Sequence, residues 1–113
     1  MISLLLHIND MKFTVWLEER EKGKSLVELG HLSRYVVIYR AANEQVFKSM
    51  DYVTLSRKFA KEHADHQAAV EEEPWLVLKA MVSTDQVFEA YNPGEYFYDG
   101  PTIPGKVIYT AQP

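Results

Sequence analysis

The sequence predicts an α+β domain built on a mostly antiparallel sheet, with one main helix. Three observations carry that expectation. Apolar runs of strand length recur along the 113 residues and outnumber helical patterns. They do not alternate strictly with helices, as a parallel βαβ fold requires. A single long segment, about 56–70, combines a helix start signal with a small-residue stripe at helical spacing.

The elements follow in order. Ile2–Ile8 is an apolar run compatible with a strand, and Asn9-Asp10 is a turn signal. Phe13–Leu17 starts a second apolar segment, with Phe13, Val15 and Leu17 on one face if extended. The charged run Glu18–Lys22 has an i,i+4 Glu–Lys pair, so this piece reads as a strand end or a short helix. That leaves room for short N-terminal helices, punctuated by Gly23 and Gly30. Tyr35–Tyr39 is the clearest strand, continuous and rich in β-branched and aromatic residues. Asp51–Thr54 is a short strand. Ser56 then suits a helix N-cap, because its hydroxyl can accept from an unpaired backbone N–H. Ala60, Ala64 and Ala68 form one stripe on the helix it opens, flanked by Phe59 and His63. Small residues on that side let the helix lie close to a sheet. Glu71–Glu73 oppose the helix dipole and Pro74 forbids continuation. Trp75–Ser83 reads as a long strand with two largely apolar faces. Asp85–Ala90 is a short segment, Asn92-Pro93-Gly94 a turn, Glu95–Tyr98 a strand, Asp99–Gly105 a loop and Lys106–Ala111 a final strand.

Composition bounds the function. One domain of this length buries a core unaided, being far above the roughly 40 residues below which staples are needed. With no cysteine, disulfides, thiolate nucleophiles and zinc ribbons drop out. No stretch approaches the ~20 apolar residues that span a bilayer. The N-terminal run lacks a basic flank and a cleavage site, so the expectation is a cytoplasmic protein away from membranes. A formal net charge of −4, with no Lys/Arg cluster beyond Arg57-Lys58 and Lys61, argues against direct nucleic-acid binding.

Three segments bear on chemistry: Y-V-V-I-Y-R at 35–40, D-Y-V-T-L-S-R-K-F-A-K-E-H-A at 51–64 and N-P-G-E-Y-F-Y at 92–98. Together they resemble the Arg…Ser/Thr…Glu layout of ADP-ribosyltransferase-like domains, most nearly the small ones of bacteriophage and toxin proteins. The resemblance covers somewhat over half the chain. It implies NAD as the substrate that donates ADP-ribose. Breaking the bond to nicotinamide passes through an oxocarbenium-like state, as in glycoside hydrolysis. By the resemblance, Arg40 would contact a phosphate and ribose, using its planar fork. Thr54 and Ser56 would shape the nicotinamide pocket. Glu95 would bind a ribose hydroxyl and stabilise the cation. Members that modify arginine usually carry Gln or Glu two residues before that glutamate; here Pro93 stands there, and the acceptor is undefined.

Each residue also has a plainer role. Arg40 could pair with Asp51 or Glu44, Ser56 could only cap, and Glu95 could be a solvated turn residue. His63 and His66 stand i,i+3 but lack third and fourth ligands, so no metal is expected. The aromatic group Tyr91, Tyr96, Phe97, Tyr98 and Tyr109 reads as sheet core and edge before it reads as a stacking platform. A second function class stands beside the enzyme. It is a non-catalytic acidic interaction protein of phage counter-defence type, whose Glu71–Glu73 patch would occupy a basic site on a host nucleic-acid-binding complex. Either way the partner is a macromolecular acceptor or host complex, and a homodimer is one way to cover free sheet edges.

Overall fold

The computed structural model describes residues 23–113. The readings on Ile2–Ile8, Asn9-Asp10, Phe13–Leu17 and Glu18–Lys22 lie outside the described residues. From Gly23 to Arg34 the chain makes an isolated antiparallel bridge, Ser25 to Phe88, and a series of turns. Then come β1 (Tyr35–Ala42), β2 (Val46–Phe47), β3 (Tyr52–Val53), α1 (Arg57–Glu71), β4 (Trp75–Ser83), a 3-10 turn at Thr84–Gln86, β5 (Val87–Glu89), β6 (Tyr96–Tyr98), β7 (Ile103–Pro104) and β8 (Lys106–Ala111). Every strand pair is antiparallel, in sheets ordered β1-β4-β8, β2-β7 and β3-β6-β5. Among the described residues this is an α+β fold with one α-helix and antiparallel sheets. Among the described residues no helix is long and apolar enough to cross a membrane.

β1 is longer than its apolar run. It continues through Arg40 to Ala42, because β4 pairs along its whole length, from Tyr35–Ser83 to Ala42–Leu76. Arg40 therefore sits inside a strand and not at its end. The stretch after Tyr98 is not loop alone: Ile103–Pro104 pairs with Val46–Phe47. Two-residue strands carry no periodicity for a sequence to display.

The central sheet has two unlike faces. On one, Ile38 and Ala42 of β1 and Leu78 and Val82 of β4 join Leu26, Phe47, Val53, Val87 and Tyr98 in a core of large side chains. On the other, Ala41, Val77 and Ala111 meet the helix residues Ala60, Ala64 and Ala68, with Tyr39, Trp75, Ile108 and Tyr109 around the margin. The pairing of β4 with β8 slips between Val77 and Leu78. That bulge lets the neighbours Ile108 and Tyr109 both serve the helix side. The helix covers only part of its face. At the far end of β4, Lys79 and Met81 remain exposed, so the second apolar face expected of that strand is only half buried.

α1 starts where the sequence places it. Ser56 is extended, and its Oγ accepts from the Phe59 N–H at 3.1 Å. Its end is stressed: Glu72 adopts a left-handed φ of 56°, no basic residue stands in the last turn, and Pro74 follows. A polar tie adds to the alanine contact. The Tyr109 hydroxyl donates to Asp65 Oδ1 at 2.7 Å, with Lys61 Nζ 4.7 Å from the ring centre. The hydrogen bond to Asp65 holds the Tyr109 hydroxyl above its ordinary pKa.

Candidate functional site

β1 and β3 meet at one bridge and then part. The Tyr39 N–H donates to the Thr54 carbonyl at 2.8 Å, and the Thr54 N–H donates back at 2.9 Å. No further backbone bond joins the two strands. In an antiparallel pair, successive residues turn their N–H and C=O to alternate sides. Ala41, two residues past Tyr39, therefore turns both groups toward the gap. α1 closes one side of this wedge, and the turn before β6 closes another.

The result is a cleft of about 360 Å³, lined among others by Tyr39, Arg40, Ala41, Tyr52, Thr54 and Phe59, by His63, Gln67 and Trp75, and by Asn92 and Glu95. That volume falls at the lower end of the ~300–1,000 Å³ typical of small-molecule sites. Four aromatic rings, those of Tyr39, Tyr52, Phe59 and Trp75, contribute to its walls. Tyr52 is itself braced by Phe97, ring centres 4.7 Å apart. Phe59, His63 and Gln67 recur at i, i+4 and i+8, one stripe beside the alanines.

Arg40, Thr54 and Glu95 thus border one space, although 55 positions separate the first from the last. Ser56 does not line it; its hydroxyl caps the helix. Thr54 is buried, and its Oγ1 accepts from the Ser56 N–H at 3.1 Å, which leaves its own O–H free to donate. Arg40 straddles two concavities. By strand alternation its side chain leaves on the Ile38 and Ala42 side, where the guanidinium meets Asp51 at 3.4 Å. That second, smaller hollow of about 170 Å³ also contains Glu44 and Lys48. Lys48 Nζ lies 2.9 Å from Glu44 Oε1, which holds the Glu44 carboxyl below its ordinary pKa and the Lys48 ammonium above its own. Asp51 is anchored by the Lys48 backbone N–H at 2.7 Å.

Glu95 is half-buried at the cleft margin. The turn that delivers it needs Gly94, whose φ is 83°. Asn92 Nδ2 donates to Glu95 Oε1 at 3.2 Å, and the Glu95 N–H returns to the Asn92 carbonyl at 3.1 Å. The carboxylate is thereby oriented at the cleft margin.

One polar atom in this wall is unsatisfied. Trp75 Nε1 is buried and has no hydrogen-bond partner, alone in that respect among buried side-chain nitrogens and oxygens of the described residues. An unpaired buried donor costs about 1–3 kcal/mol. The cleft aromatics Tyr39, Tyr52, Phe59 and Trp75 are not the cluster that the sequence brings forward. Of that cluster, Phe97 and Tyr98 are core and Tyr91 is a solvated turn residue. Phe59 and His63 were readable from helical spacing as flanking the alanine stripe, and Gln67 extends that row. Trp75, Tyr39 and Asn92 carried no local signal. Among the described residues no three His, Cys, Asp or Glu side chains converge as metal ligands.

Compared with protein-family models, with curated proteins and with solved structures, the chain matches none of them.

Proposed function

We propose that this cleft binds NAD and that the protein is an ADP-ribosyltransferase-like enzyme of the small phage and toxin type. The observation that carries the reading is the shared border of Arg40, Thr54 and Glu95 on one aromatic-walled cleft. A flat ring stacks on such walls. The N–H and C=O that Ala41 turns toward the gap complement a primary carboxamide, which offers an acceptor oxygen and an NH2 donor group. Glu95, steadied by Asn92, supplies negative charge where the ribose carbon becomes cationic. The bond from that carbon to nicotinamide breaks, nicotinamide leaves with the electron pair as a neutral base, and no acid is required. The acceptor then adds to the same carbon and loses its proton. To reach the diphosphate, Arg40 must leave Asp51 and swing from the Ile38 and Ala42 side toward the cleft, where its fork binds phosphate oxygens in pairs.

The test is titration with NAD, followed by ligand-detected NMR and by nicotinamide release, with Glu95→Gln alongside. Wild type releases nicotinamide, and the variant does so about a hundredfold or more slowly while still folded. Undiminished release in Glu95→Gln would overturn the catalytic role. Failure to bind at millimolar NAD would overturn the enzyme. The surface left to test against a basic partner would then be the acidic helix end, where Glu71, Glu72 and Glu73 are all exposed.

A further inference from the structure

The buried indole N–H of Trp75 has no acceptor in a protein that otherwise satisfies its buried side-chain polar atoms, among the described residues. Trp75 opens β4 immediately after Pro74, and pairing with Ala111 holds its backbone in place. Its ring lies at the margin of the alanine layer and in the cleft wall, beside the helix stripe that carries His63 and Gln67. Gln67 also lines that wall, and its amide donates to Glu71 Oε2 at 3.3 Å. Trp75 lines the cleft, and an unpaired donor on a cleft-lining residue is one that a ligand oxygen can satisfy. Nε1 is covered in the free protein, so the atoms that cover it must shift as the ligand enters.

We propose that Trp75 Nε1 is the specificity-determining donor of this cleft. It takes the carbonyl oxygen of a ring carboxamide, so the nicotinamide end of the dinucleotide enters the aromatic cleft and the adenine end stays outside. This rests on the NAD reading for the identity of the ligand. It adds the side-chain donor that holds the carboxamide and what rejects a ring without a carbonyl. A carbonyl oxygen has two lone pairs, so it can accept from Trp75 and from the Ala41 N–H together. Discrimination follows from the same asymmetry that makes a buried donor costly when unmet: the wrong ring leaves it orphaned.

The chain has two tryptophans, Trp16 and Trp75, so an amide-nitrogen NMR spectrum shows two indole N–H peaks. Trp75→Phe identifies one by its loss; Trp16→Phe does so by elimination if the first variant fails to fold. The probes are nicotinamide and 3-methylpyridine, the same ring without the carboxamide. Nicotinamide moves the Trp75 peak downfield and 3-methylpyridine does not. Trp75→Phe weakens nicotinamide about tenfold and leaves 3-methylpyridine nearly unchanged. The proposal is overturned by a Trp75 peak that stays still at saturating nicotinamide, by equal weakening of both probes, or by no response to nicotinamide at its solubility limit. The two readings fail separately. A moving Trp75 peak without Glu95-dependent nicotinamide release would keep this donor and discard the transferase. Glu95-dependent release with a still peak would do the reverse.

Discussion

The two faces of the β1–β4–β8 sheet are built from opposite materials. One packs Phe47, Tyr98, Leu26, Ile38 and Leu78, all essentially without exposure. The other packs alanines from the helix against alanines and a valine from the sheet. Large side chains interdigitate and supply most of the apolar area removed from water, at about 25 cal/mol per Å². Alanines supply little area, but they bring the helix backbone close and fix its height above the sheet. Small side chains also reach no further than the helix itself, so the layer ends abruptly at its margin. There Tyr39 and Trp75 pack against the alanines on one side and, with Phe59, border open space on the other. Stability is concentrated on one face, and the candidate site opens at the edge of the other.

That contrast can be broken by substitution. The largest expected effect is on the bulky face. Leu78→Ala removes a fully buried side chain and costs about 3–5 kcal/mol, read from the urea midpoint at constant slope. Its folded fraction binds NAD as wild type does, since Leu78 does not line the cleft. Ala64→Leu comes next. Ala64 has no exposed surface beneath the helix, so the added bulk must lift α1. The cost is about 1–3 kcal/mol, and NAD affinity falls with it, because Phe59, His63 and Gln67 move as one wall. If Ala64→Leu destabilised but left NAD affinity intact, helix height would not govern the cleft. The smallest effect belongs to Ser56→Ala, about 1 kcal/mol for a lost N-cap. NAD affinity is then unchanged, which would separate Ser56 from the pocket role that the resemblance implies. A fall in affinity beyond that loss of stability would return it to the site.

Much of the local structure was legible. Ser56 as cap, the alanine stripe, the stop at Pro74 and the full extents of Trp75–Ser83 and Lys106–Ala111 match the elements observed. Each rests on short-range physics: a hydroxyl beside unpaired N–H groups, a 3.6-residue period, a missing proton on proline. The pairs Val46–Phe47 and Ile103–Pro104 were not legible, because two residues have no period. Nor was the true extent of β1, since Arg40, Ala41 and Ala42 are strand only by pairing with β4. For the candidate site, Arg40, Thr54 and Glu95 could be named one by one from motif order. The direction of the Arg40 side chain could not, because strand parity and Asp51 decide it.

By itself the sequence determined which segments extend, where the one long helix of the described residues begins and stops, and which face of it is small enough to lie flat. Those properties depend on neighbours within a few positions. Only the tertiary structure decided that β1 and β3 part after a single bridge, that Trp75 lines the cleft with its buried N–H unmet, and that the turn at Gly94 brings Glu95 to the same space. The reason is physical: a cleft is the volume left between elements distant along the chain. It is set by how closely they pack, and no window of sequence contains it.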